Sequence, residues 1–204
     1  MKERFAMGMI LGHMVNSGGF RLSEQNISSI FPLYEGFYIE AMLFNSSAAL
    51  SAWDESQELL RIGDEYFLNE IQNFLTHSGI LSRYFWPARE KPPFSDRGAF
   101  LRKVFNLDDE SPLKNRDLRN TFEHLDEKLD EWLKFFPVGR VMPEFIGEST
   151  FLKEPSHFFR AYFVDLDVFE VLGNKYAIKP IQAEVLKVHN KLVEALDNGL
   201  RFTL

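Results

Sequence analysis

A chain of 204 residues, 45% hydrophobic and 26% charged, is long enough for one sizeable core, too short for two large domains, and not compatible with wholesale disorder. It has no cysteine, which excludes disulfides, thiolate metal sites and a cysteine nucleophile together. Its net charge of −7 excludes a uniformly basic nucleic-acid-coating surface while leaving room for a local basic site. Phenylalanine, at 21 residues, suits a helix-packed core with aromatic layers.

Met1-Lys2-Glu3-Arg4 precedes an apolar run from Phe5 to Val15. Gly8, Gly12 and His13 interrupt that run and no small-x-small cleavage pattern follows, so it is read as a core element rather than a targeting segment. His13 is then structural. No stretch approaches the roughly 18 uninterrupted apolar residues of a membrane span, so no membrane association is expected and the expected setting is cytoplasmic. Asn16-Ser17-Gly18-Gly19 ends the first element, and a helical pattern starts at Ser23.

Pro32 should restart that helix, and from Tyr34 to about Trp53 apolar residues fall nearly all round, as in a central buried helix. Glu55 to about Tyr84 carries Leu59, Ile62, Phe67, Ile71, Phe74 and Leu75 at helical spacing. Trp86-Pro87 and Pro92-Pro93 make a loop, and a short helix capped at Ser95-Asp96 runs to Phe105. Ser111-Pro112 then opens one long amphipathic helix to Phe136, and residues 137 to 157 read as loop. Phe159 to Val164 and Val168 to Val171 are aromatic and β-branched, with a tight turn at Leu172-Gly173-Asn174-Lys175 and Tyr176 to Ile178 returning. Pro180 opens a closing helix that buries Ile181, Val185, Leu186, Val188, Leu192, Val193 and Leu196. The expected fold is mainly α: an antiparallel helical bundle with a small C-terminal β-hairpin and closing helix, in a single domain over residues 1–204. Its helical core is residues 1–136, and the hairpin with its helix is residues 158–204.

The chemistry is expected on the helix from Ser111 to Phe136. Leu118, Phe122, Leu125, Leu129, Trp132, Leu133 and Phe136 form one apolar stripe. At about 100° per residue, Arg119 lies roughly 100° to one side of the stripe and His124 roughly 120° to the other. Asn120 stands nearly opposite the stripe, one turn before His124. The solvent side therefore carries Arg119-Asn120-Thr121-Phe122-Glu123-His124.

Arg119-Asn120-x-x-x-His124 resembles the signature of HEPN domains, in which an Arg, often followed by a polar residue, precedes a His by four to six positions on a late helix of an antiparallel bundle. The motif covers six residues, and the loosely similar bundle spans Tyr34 to Phe136. The resemblance implies a metal-independent endoribonuclease of the toxin or phage-defence kind, built from two protomers whose motifs meet across a dimer interface. RNA would be its substrate and an antitoxin or other protein a partner, with no cofactor and no metal. The residue types suit that chemistry: His for proton transfer near neutrality, Arg as a forked permanent cation for phosphate oxygens, and Asn120 to orient either.

Other arrangements compete with it. Arg119 could pair with Glu123 at i,i+4, leaving His124 an ordinary surface residue. The chain would then be a non-catalytic helical interaction protein, or a bundle binding a small ligand in its Phe-rich interior. Lys114, Arg116 and Arg119 make the helix start basic, whereas Glu123, Asp126, Glu127, Asp130 and Glu131 make the rest acidic, so phosphate belongs at the N-terminal end. Glu154-Pro155-Ser156-His157 alone has a bundle metal spacing, in a setting that is not helical. His77 and His189 read as surface or interface residues. Arg83, Arg89, Lys91, Arg97, Arg102 and Lys103 surround Trp86, Phe94 and Phe100, more in the manner of a solvated loop than of an RNA surface.

Overall fold

The computed structural model describes residues 30–135 and 138–202. The expected N-terminal core element, His13, the helix start at Ser23 and Phe136 lie outside them. Helix α1 (Pro32–Ile62) begins with a proline in its first turn, where the missing N–H costs nothing. It runs unbroken through Trp53 and Glu55, where a boundary between two helices was expected. It stops instead at Gly63, whose positive φ of 74° lets the Asp64 N–H reach back to the Leu59 carbonyl.

The buried side of α1 is Glu35, Ile39, Met42, Asn45, Ser46, Ala49, Ala52 and Ser56, so small side chains set a close approach by its neighbours. Leu33, Phe37 and Phe44 face solvent. The expected central, buried helix is therefore buried along one side only among the described residues. The central helix is α2 (Phe67–Phe85), which buries Phe67, Leu68, Ile71, Phe74, Leu75, Leu81 and Phe85 and packs against α1 most extensively. α3 (Phe94–Phe105) crosses its C-terminal end. A 3₁₀ turn (Pro112–Lys114) leads to α4 (Arg116–Glu123) and α5 (Leu125–Leu133).

Residues 137–157 are not all loop. Arg140–Gly147 is strand β1, pairing parallel with β2 (Ser156–Phe163). It is an edge strand with mostly exposed side chains, so no alternating apolar pattern marks it, and Pro143 is tolerated because an edge leaves one side of the strand unpaired. β3 (Val168–Val171) and β4 (Asn174–Ala177) continue antiparallel, giving a four-stranded mixed sheet in the order β1-β2-β3-β4 rather than a lone hairpin. The tight turn is made by Leu172 and Gly173, both at positive φ. α6 (Ile178–Asp197) closes the bundle against α1. It buries Ile181, Val185, Val188 and Leu192, while Leu186 and Val193 are exposed, against expectation, because the helix meets the core on a narrower stripe. One contiguous apolar cluster joins α1, α2, α3, α4 and α6 to Tyr162, Phe169, Val171 and Tyr176 of the sheet.

His77 and His189, expected at a surface or interface, are half-buried where helices meet. The His77 Nδ1 lies 3.3 Å from Asn45 Oδ1 and the His189 Nδ1 3.0 Å from Ser46 Oγ, so α2 and α6 each fasten an imidazole to adjacent residues of α1. Burial pushes both pKa values down from the ordinary imidazole range. The unfolded chain then takes up more protons, so their contribution to stability is present above about pH 6.5 and is lost as pH falls through the depressed folded values. The melting temperature should fall on acidification from about pH 7.5 to about pH 5, and less steeply in a His77→Gln/His189→Gln variant. Equal slopes would show that the two imidazoles are not linked to folding.

Candidate active site

The expected long helix is two. His124 has φ −122° and ψ 39°, outside helical geometry; its N–H donates to the Asn120 carbonyl at 3.2 Å, and its own carbonyl accepts from the Lys128 N–H at 2.9 Å. It ends α4 and starts α5. α4 buries Leu118, Arg119 and Thr121, whereas α5 has no fully buried residue, so the chain turns at His124 from the core to the surface. The start also moves. Ser111 precedes the 3₁₀ turn, and Asn115 caps α4, its Oδ1 accepting from the N–H groups of Asp117 and Leu118.

Arg119 is not on the solvent side; it is only 7% exposed. Two features of α2 bring it inward. Gly79 has no side chain, and a Cβ there would stand 3.3 Å from the Arg119 Cα, so the α4 backbone lies directly on α2. The α2 C-terminus also offers carbonyls without helical partners, and Arg119 Nη1 donates to that of Trp86 at 2.9 Å. Arg97 and Arg102 donate to the carbonyls of Arg83 and Phe85, so three arginines cap one helix end. Two guanidiniums of the expected basic loop are thus used inside the fold. Replacing Gly79 with Val should displace α4 and lower stability by about 1–3 kcal/mol. Unchanged urea unfolding would show that α4 does not depend on this close approach.

The Arg119–Glu123 pair of the competing reading does not form. Glu123 pairs with Arg83 of α2, and no carboxylate among the described residues lies within ion-pair distance of Arg119. Arg119 instead borders a cleft of about 220 Å³ together with Trp86, Glu90, Lys114, Asn115 and Arg116. Burial, followed by the positive charges of Arg83 and Arg116, lowers its pKa from the ordinary guanidinium value. Cations thus crowd a small recess whose wall holds a single carboxylate, an arrangement that favours an anion.

His124 does not border this recess. Its side chain is 55% exposed at the helix junction, with Nδ1 3.9 Å from the Glu127 carboxylate. Asn120, half-buried, lies between them in sequence. The opposite face of α4 is anchored to the sheet by the Tyr176 hydroxyl, 2.9 Å from Thr121 Oγ1, so the helix that carries Arg119 is held on both sides. The geometry offers a fixed cation beside an anion-sized recess and an accessible imidazole where the same helix ends.

Other constellations carry less. Ser46 and His189 are in contact, but Ser46 is fully buried and has no route to a substrate. His157 lies near the Val138 carbonyl, and among the described residues no group of three or more His, Asp or Glu side chains is placed to hold a metal ion. No helix among them is long and apolar enough to cross a membrane. No family model, curated protein or solved structure matches the chain. The partners that sequence reasoning missed are Gly79, the Trp86 carbonyl and Arg83. Only Gly79 left a signal, as a glycine inside a helical pattern, which marks close backbone approach.

Proposed function

We propose that the protein is a HEPN-like, metal-independent endoribonuclease acting as a homodimer, with Arg119 binding the scissile phosphate and His124 moving protons. The observation that carries this reading is Arg119: a buried cation without a carboxylate partner among the described residues, bordering a recess with Lys114 and Arg116. In the reaction the RNA 2′-oxygen attacks phosphorus and the 5′-oxygen leaves. One His124 takes the 2′-hydroxyl proton and a second, protonated His124 gives a proton to the 5′-oxygen. A single protomer supplies one such imidazole, so two copies complete the site. Asn120 orients the phosphate or the imidazole.

The absence of native cysteine makes a direct test possible. A single cysteine at Glu127, beside His124, should be joined between protomers by a short bis-maleimide, and the wild type should cleave RNA in chelator. Failure to form the covalent dimer at concentrations where cleavage occurs would remove the two-protomer site. A second reading, a non-catalytic interaction protein for a protein partner such as an antitoxin, is favoured by the exposed Leu33, Phe37 and Phe44 of α1. Absence of RNA cleavage, with Leu33→Ser/Phe37→Ser abolishing partner binding, would decide for it.

A further inference from the structure

Helix α1 leaves one apolar stripe uncovered beside its start. Leu33, Phe37 and Phe44 are four and then seven residues apart, so they share one side of the helix. They are 76%, 65% and 68% exposed, and Phe31 and Tyr34 extend the patch around the first turn. Large apolar side chains left in water along successive turns mark a docking surface rather than a lone exposed residue. Glu40, on the same side between the two phenylalanines, is exposed and has no ion-pair partner among the described residues.

The chain itself carries a segment that fits. Phe5 to Val15 contains no Asp, Glu, Lys or Arg, and Lys2-Glu3-Arg4 before it is net positive, opposite in sign to Glu40. Even at the compact rise of about 1.5 Å per residue it spans about 16 Å, as does α1 from Leu33 to Phe44. Residues 16–29 join it to Ile30, which is buried where α1 begins. A tether of about 14 residues, with Ser17-Gly18-Gly19 in it, has a root-mean-square reach of about 20 Å. That reach covers the stripe from end to end. It also holds the segment at an effective concentration on the order of millimolar. For equal contact the chain's own segment therefore wins over a second copy at micromolar concentration by about a thousandfold. We propose that Phe5 to Val15 docks on the stripe of Leu33, Phe37 and Phe44 of its own α1. A protein partner of that stripe must displace the segment, so the contact masks the surface in the free chain. The proposal does not rest on the ribonuclease reading.

The test uses the full chain, which has no native cysteine and carries Met1, Met7, Met9 and Met14 near its start. In Met9→Cys/Ala41→Cys a short bis-maleimide should link the two positions within one chain, as read by tryptic mass spectrometry. Met9→Cys/Lys153→Cys, whose second cysteine lies in the β1–β2 connection, should not form such a link. Adding Phe37→Ser and Phe44→Ser to the first pair should lower its yield at least about fivefold. With no cysteine introduced, peroxide should oxidise Met7, Met9 and Met14 about tenfold more slowly in wild type than in Phe37→Ser/Phe44→Ser, with Met1 unchanged. Both serines replace exposed side chains, so the fold should be kept. Links only between chains would give the stripe to a second copy. The absence of any link, with equal oxidation in both proteins, would give it to another protein. Either result overturns the proposal.

Discussion

Replacing His124 with alanine is expected to slow RNA cleavage at least about a hundredfold while leaving the melting temperature unchanged. The two halves of that expectation have separate origins. The imidazole is more than half exposed, and its nearest charged neighbour, Glu127, is 3.9 Å away on an open surface, so little folding energy depends on it. The helix junction is made by the backbone of residue 124, whose N–H and carbonyl bonds alanine preserves. In the proposed mechanism the rate, by contrast, depends on a group that can both accept and donate a proton near neutrality, which alanine cannot do. Steady-state cleavage of a labelled RNA in chelator, beside a thermal melt, measures both. Equal rates would remove His124 from the mechanism.

Arg119→Ala should do what His124→Ala does not: reduce stability and activity together. The Trp86 carbonyl would lose its donor and the helix end one of its three capping charges, at a cost of about 1–3 kcal/mol. If Arg119 binds the scissile phosphate as proposed, its loss should lower kcat/KM about 10²- to 10³-fold. Arg119→Lys separates the roles. A lysine retains one charge but cannot cap the Trp86 carbonyl and bind a phosphate oxygen in the same fixed plane, so it should recover stability more fully than rate. Measured below the melting temperature of every variant, a full wild-type rate in Arg119→Ala would reduce this residue to a helix cap.

The helical core was legible because its signals are periodic. α2 has apolar residues at every third and fourth position, and the start of α1 is set by Pro32. The β3–β4 turn was legible for a different reason, since Gly173 beside β-branched and aromatic residues is a local signature. What could not be read depends on partners distant in sequence. The stripe from Leu118 to Trp132 continues with helical spacing through His124, and no glycine or proline marks the change of direction there. Arg119 sits well off that stripe, so periodicity placed it in solvent. It is buried because Gly79, forty residues earlier, gives its backbone room, and because the α2 carbonyls supply polar partners. β1 was invisible because its exposed edge needs no apolar alternation. The residue types of the proposed site were therefore readable in the sequence, and the burial of Arg119 was not.

The sharpest single measurement is the chemistry of the RNA ends left by the wild-type protein in chelator, read by mass spectrometry. Attack by the 2′-oxygen, with proton transfer by two His124 side chains, predicts a 2′,3′-cyclic phosphate on one fragment and a 5′-hydroxyl on the other. RNA left intact, or fragments ending in a 3′-hydroxyl and a 5′-phosphate, would contradict it.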